Sequence, residues 1–569
     1  MPKPARPRRR RIEIVVRAAA AVAALALALV PVARLRGLEA RREQMAAWLG
    51  AAGVPVPREL ANEPDPGRVA LRAARALLNA ELDPARHPVL PPAEAERELA
   101  ASAARLEEAA HLAGEVFAER PAAWDAAMIL GTSRYLARSW SRDTHLFTEA
   151  PLWERPLEAA IALAPGRPDA SRLLAGAYLD LWPALSPRKR ERERRLLARV
   201  LSDPPSFSSL IARWVAVAPS REEAFAVVPP TPEAWARMQQ IYADHFDWQG
   251  FCAARARWDL ALRTRLSTRL VQAGQRRAIG DDGSARELFL EVAAEARPER
   301  RYLGFLTRAL EGCPPGPIER RTAERLEKHL AWSLESCLFD RCPLPPRLLL
   351  RLDGFCRDLD PRSDAMVALV TGDLQRAEAM ERAFATPWDE DWVPYRLLKA
   401  KVLAESGRKQ EVEDALSGLP PSWRARPSYW HVRAEIARAV GDPAAQGAAA
   451  RELAQRAASA WPASAWDFHG GVPRLELLAA TGASGLALAV DVAPPRGAAA
   501  EVRLDRVVLG TFPIRAGAPL VVSAAIAPGW HLLEFESVAG GSALPGAVRL
   551  AVGAEGLGGR GSASGGETD

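Results

Sequence analysis

Cysteine is scarce in this chain, with five in 569 residues at positions 252, 313, 337, 342 and 356. No two form a C-x-x-C pair, and His329 is the only histidine near the last four. A structural zinc site needs ligands that converge from short spacings, so no metal and no other cofactor is expected. The cysteines read as buried thiols, with a disulfide among Cys337, Cys342 and Cys356 open if the domain is exported. The chain also lacks a P-loop, H-E-x-x-H and G-x-S-x-G. Gly556, Gly558 and Gly561 satisfy G-x-G-x-x-G, but no helix follows them to receive a pyrophosphate. Asp358, Asp360 and Asp364 lack the glycine and the twelfth-position glutamate of a calcium loop; helix capping before Pro361 explains them better. No local spacing joins a nucleophile to a base, so no residue is assigned to catalysis.

Clustered charge of one sign is missing from the body of the chain. The net charge is +6, and Lys3, Arg6, Arg8, Arg9, Arg10 and Arg11 account for all of it. A neutral remainder excludes a nucleic-acid footprint, which requires clustered excess positive charge. The run Arg188 to Arg195 interleaves Glu191 and Glu193 and reads as a solvated helix face with paired charges. At 49% hydrophobic and 26% charged residues, the chain is globular and too long for one domain.

Long hydrophobic runs are confined to the N-terminus. After a basic head at residues 1–11, Ile12 to Ala33 is rich in Ala, Val and Leu, and Glu13 and Arg17 at its entry stand at i and i+4, placed to pair and snorkel. Pro31-Val32-Ala33 fits an A-x-A cleavage site poorly. The expectation is an uncleaved transmembrane helix over 12–33, with a cleaved signal peptide as the alternative. The basic head places the N-terminus in the cytoplasm and the bulk of the chain in the periplasm or outside. A stalk and linker follow over 34–67.

From about residue 68 to 463 apolar residues recur at helical spacing, broken by Pro91-Pro92, Pro204-Pro205, Pro229-Pro230, Pro314-Pro315, Pro345-Pro346 and Pro420-Pro421. The many tryptophans, such as Trp153, Trp182, Trp214 and Trp235, read as packing between helices. Between Leu359 and Gly447 a small residue is followed seven positions later by glycine three times: Ala365 with Gly372, Ala400 with Gly407, Ala434 with Gly441. A period of 34 to 35 residues belongs to a two-helix unit that buries its apolar face by stacking on copies of itself. The small residue lets two helices approach, the glycine closes the first helix with a positive-φ turn, and Asp373 and Asp442 stand where the next helix needs a cap. An earlier copy reads Ala273, Gly280, Ala285, Phe289 and Pro298, and Ala160, Leu163, Pro165, Leu174, Ala175 and Tyr178 form a further piece.

At these residues the chain resembles the tetratricopeptide repeat family over about 90–460. The resemblance implies an all-α solenoid and a protein partner held in a groove formed by the first helices. Tyr178, Tyr395, Arg396, Lys399, Tyr429 and Arg433 take the groove positions.

From Arg474 the apolar residues fall into short runs bounded by Gly and Pro: about 474–479, 485–492, 501–509, 520–526, 530–537 and 547–552. The pattern predicts a small β-sandwich over 464–553, followed by a disordered tail over 554–569. Val502-Arg503-Leu504-Asp505, Leu509-Gly510-Thr511-Phe512-Pro513 and Pro528-Gly529-Trp530-His531-Leu532 resemble the PEGA-type β-domain of bacterial cell-envelope proteins. Arg506 stands where that family has glycine, so the hairpin turn must differ. Trp530 and His531 are the candidates for a glycan contact, against a reading in which His531, Leu533 and Phe535 share one buried face of a strand.

The combined expectation is a membrane-anchored, non-enzymatic scaffold of the cell envelope that binds a protein through a tetratricopeptide-like groove. The alternative is a glycan-binding accessory of cell-wall or polysaccharide assembly. An enzyme with a diffuse site in the helices of residues 200–350, where the superhelical shape is similar to lytic transglycosylases, stands behind both.

Overall fold

The structure is a computed structural model. It describes residues 35–83, 91–140, 150–339, 342–356, 359–386 and 389–457, and then 474–479, 486–490, 496–515, 520–522, 524–527, 529–539 and 548–551. Helices dominate, and a small β-domain follows them. Contacts divide the chain into two compact units, 1–229 and 230–569. The boundary falls inside the helical region, so the second half of the helices shares a unit with the strands.

In the first unit, residues 35–51 are helical. They are followed by α2 (Arg58–Asn62), α3 (Pro66–Glu81), α4 (Pro92–Glu119), α5 (Trp124–Trp140), α6 (Ala150–Leu163), α7 (Pro168–Asp180), α8 (Pro187–Val200), α9 (Pro204–Val217) and α10 (Arg221–Ala226). Four of the proline pairs that interrupt the helical pattern, Pro91-Pro92, Pro204-Pro205, Pro345-Pro346 and Pro420-Pro421, open helices, while Pro229-Pro230 and Pro314-Pro315 lie in connections. Proline fills the first turn of α3, α4, α8 and α9, where its missing N–H costs nothing, and Asp65, Ser186 and Asp203 cap three of these with their side chains. Each helix packs on the next from α3 to α8, and α9 packs on α7; the core of the first helices includes Leu49, Leu77, Leu106 and Ile129. Trp153, Trp182 and Trp214 are buried, in keeping with packing between helices.

The second unit runs through α11 (Pro232–Asp244), α12 (Trp248–Ala278), α13 (Asp282–Glu295), α14 (Leu303–Gly312), α15 (Arg320–Phe339) and α16 (Pro346–Asp353). Three helix pairs follow: α17 (Pro361–Thr371) with α18 (Leu374–Phe384), α19 (Val393–Glu405) with α20 (Lys409–Ser417), and, after the short α21 (Pro421–Arg424), α22 (Pro427–Val440) with α23 (Pro443–Ala457). The glycines that set the period have φ of 88°, 75° and 76° at Gly372, Gly407 and Gly441, and Gly280 has 82°. The side chains of Asp373 and Asp442 accept from backbone N–H groups at the starts of α18 and α23. Asp360 caps α17 in the same way. The first helices stack, α17 on α19 and α19 on α22, and α15 packs against both α17 and α19.

The strands form two antiparallel sheets. One has the order β1 (Arg474–Ala479), β6 (Gly529–Ala539), β3 (Ala498–Leu504), β4 (Val507–Ile514); the other has β5 (Leu520–Val522), β2 (Leu486–Val490), β7 (Val548–Ala551). The apolar run read as one strand over 501–509 is a hairpin, because Asp505 and Arg506 both take positive φ, 48° and 63°. Such a two-residue turn normally needs Asn or Gly. Here both residues are tied down from outside the turn. Asp505 accepts from the Leu532 backbone N–H at 2.8 Å and contacts His531 Nδ1 at 2.7 Å. The Arg506 guanidinium, nearly fully buried, pairs with Glu335 of α15 at 3.2 Å.

Among the described residues no helix is long and apolar enough to cross a membrane. This corrects the expectation of a single-pass membrane protein with its bulk in the periplasm or outside; the segment 12–33 lies outside the described residues. The physical reason is plain in the longest helices. α12 and α4 carry charged side chains through most of their length, from Arg255 to Arg277 in α12 and from Glu94 to Glu119 in α4. The tail 554–569 and the basic head 1–11 also lie outside the described residues.

Candidate functional site

The side of the stacked first helices that faces α15 is closed. Lys401 of α19 donates to the Leu338 carbonyl of α15 at 3.2 Å and pairs with Glu435 of α22 at 3.0 Å. Trp530, at the start of β6, fills the next position. One face of its ring stacks on His431 of α22 at 4.2 Å between centroids and 14°, and it lies nearly parallel to Phe339 of α15 at 5.9 Å. His531 is also buried. Its Nδ1 meets Asp505 at 2.7 Å and its Nε2 meets the Ala527 carbonyl at 2.6 Å. Trp530 and His531 therefore do not form the exposed glycan contact expected of them. Both imidazole nitrogens of His531 are occupied, and one face of the half-buried Trp530 ring is covered by His431.

The six groove candidates separate. Tyr178 is in the first unit, buried at 4% exposure, with its hydroxyl donating to Glu154. Tyr395 and Tyr429 are buried at 0% and 5%. Burial pushes all three phenols well above their ordinary value. Three tyrosines expected on an open groove are thus core residues, because their rings complete the packing between successive helix pairs. Arg433 reaches Glu413 of α20 at 3.5 Å.

Arg396 and Lys399 come together, in a groove of about 460 Å³. They stand one turn apart on α19, which forms the floor, while α18 and α20 form the walls. Arg396 Nε meets Glu381 at 3.3 Å, its Nη1 donates to the Gly418 carbonyl at 3.4 Å, and its Nη2 donates to the Thr386 carbonyl at 3.1 Å. Lys399 Nζ pairs with Glu378 at 3.3 Å and Glu381 at 3.1 Å. Glu411 and Asp414 line the opposite wall. Four carboxylates thus surround two cations, and the groove carries net negative charge. The acidic residues were missed in the sequence because attention went to the first helix of each pair. The signal was present, since Glu378 with Glu381 and Glu411 with Asp414 are each three apart, the spacing that puts both on one helix face.

The densest charge cluster lies where the sheet meets the helices and is a fastening. Arg297 grips Glu501 of β3 with two bonds, at 2.9 and 3.2 Å, and Arg503 holds the same carboxylate at 2.7 Å. Arg297 and Arg301 hold Glu299 at 2.6 and 2.7 Å. Burial alone would raise the Glu501 carboxyl, but Arg297 and Arg503 outweigh it and hold the group down to about 2. Nearby, Trp248 Nε1 donates to the Arg496 carbonyl at 2.5 Å. No group of residues able to hold a metal ion occurs among the described residues. Cys337 and Cys342 are joined in a disulfide, and Cys313 and Cys356 are buried thiols.

A comparison with models of known protein families finds no match, and a comparison with curated proteins finds no relative.

Proposed function

We propose that the chain is a non-enzymatic scaffold of tetratricopeptide-like helix pairs that binds a basic segment of a protein partner in the groove between α18 and α20. The observation that carries this reading is the charge arrangement there: Glu378, Glu381, Glu411 and Asp414 around Arg396 and Lys399. Lys399 and Arg396 engage the α18 wall and Arg408 pairs with Glu411 on the α20 wall, which leaves Asp414 to attract an incoming cation. The period of the helix pairs and the positive-φ glycines support the family likeness. The glycan reading loses its support with the closure of Trp530 and His531.

Selection of peptides against the purified full-length chain tests this reading, followed by anisotropy titration of the enriched sequences. Enriched peptides should be rich in Lys and Arg. The double variant E411K/D414K should weaken them by about tenfold or more, since like charges across an interface are costly, while leaving the melting temperature unchanged because both residues lie at the surface. Peptides without basic character, or equal binding by the charge-reversed variant, would remove this groove as the binding site.

A further inference from the structure

In the first unit, a groove of about 560 Å³ runs along α8 with α6 on its other side, and the scaffold reading does not use it. Arg188, Arg192, Arg195 and Arg199 line it, all exposed. Intervals of four, three and four set them in one row on the helix, and the row is roughly 16 Å long at about 1.5 Å of rise per residue.

The middle of the row differs from its ends. Arg192 pairs with Glu158 of α6, and Arg195 pairs with Glu191. Arg188 and Arg199 enter no ion pair among the described residues. Glu193 does not offset them, because it is buried under the row and burial pushes its carboxyl up to about 9, leaving it neutral at pH 7. The groove is thus close to neutral in the middle and positive at both ends. One turn before Arg199, the half-buried Leu196 meets the groove together with Ile161 and Ala162 of α6. The shape selects among occupants. Spread over roughly 16 Å, the volume gives a cross-section of about 35 Å², whereas a helix with its side chains is about 10–12 Å across and needs more than twice that. An extended strand fits, and its alternate side chains fall on one face. A continuous polyanion is disfavoured, because Glu158 and Glu191 would repel its central charges.

We propose that this groove binds an extended segment of a protein partner in which two acidic residues flank an apolar one at alternate positions, acid-x-apolar-x-acid. The two carboxylates, about 13 Å apart along the strand, meet the long side chains of Arg188 and Arg199 at the two ends. The apolar side chain between them lies over Leu196 and Ile161.

Anisotropy titration of the full-length chain with labelled peptides at low ionic strength tests this. A peptide with the core ESLSE should saturate one site, and its charge-reversed form KSLSK should not bind. The core ESSSE should bind about tenfold or more weakly for want of apolar burial. EELSS should be weakened to a similar extent, because adjacent carboxylates cannot reach both ends of the row. Arg188→Glu and Arg199→Glu should each weaken ESLSE by about tenfold or more. Their melting temperatures should match the native chain, since both side chains are exposed and outside any ion pair, which separates loss of recognition from loss of folding. With ESLSQ, which keeps one carboxylate, only one of the two variants should retain its effect, and which one gives the direction of the strand. The proposal is overturned by failure of ESLSE to saturate, by equal binding of KSLSK, ESSSE or EELSS, by indifference to either arginine, or by both variants still weakening ESLSQ. Equal affinity for a single-stranded oligonucleotide of the same charge would overturn it too, and would assign the row to phosphates.

Discussion

At the scale of the single residue, Glu193 makes the folding of the first unit sensitive to base. The ordinary carboxyl value is 4.5 and the folded value is raised to about 9. Between these limits the unfolded chain has released the proton that the folded chain still holds, so rising pH favours unfolding. The stabilising effect of that proton is fully present below about 4.5 and is lost as the pH climbs toward 9. Thermal melts across this range should show Glu193→Gln gaining on the native chain as the pH rises, with the two converging near pH 5; parallel profiles would show that the carboxyl is not neutral in the folded unit. Little of this was legible in the sequence. Glu191 and Glu193 look alike in a run of alternating charge, and only the placement of α6 and α7 against α8 buries one and leaves the other in water. Arg506 is similar. Its place in a hairpin where glycine is normal was visible in the sequence, but the compensation from Glu335, far away in α15, was not.

At the scale of the element, the helix pairs were the most legible part of the fold. Gly372, Gly407 and Gly441 were assigned to positive-φ turns from spacing alone, and a turn of this kind depends on a few neighbouring residues. Replacing Gly441 with alanine should lower stability by roughly 1 kcal/mol, the cost of a Cβ in the left-handed region, readable as a lower midpoint in urea. A variant as stable as the native chain would mean that the turn relaxes to a right-handed closure. The faces of the same helices were read less well. Tyr395 and Tyr429 hold positions that line a groove if the stacked first helices are open, but both rings are buried in the packing between successive helix pairs. The C-terminal strands were placed closely except at the β3–β4 hairpin. There the continuous apolar pattern concealed a turn made from Asp505 and Arg506, neither of which is a strong turn signal on its own.

At the scale of the whole second unit, a buried charge cluster fastens the β1–β6–β3–β4 sheet to the helices. Glu501 lies between Arg297 and Arg503, and removing one member of a buried pair leaves its partners uncompensated, at a cost of roughly 3–5 kcal/mol. Glu501→Ala should lower the stability of this unit by about that amount and expose Trp530, measurable as a red shift of tryptophan fluorescence at the same midpoint as the loss of helix. Unchanged stability would show that the sheets are held by apolar packing. No pattern in the sequence announced this cluster, since it joins residues more than two hundred positions apart in the chain.

That separation also has a meaning in time. A ribosome completes α15 and α22, with Phe339 and His431 in place, well before it reaches Trp530. Until that ring arrives, the patch between Phe339 and His431 that it fills is uncovered, although α15 already packs on the layer of first helices. The β-domain, made last, ends this period, and a chain cut short before β6 would leave that patch permanently available to chaperones or to other copies of itself.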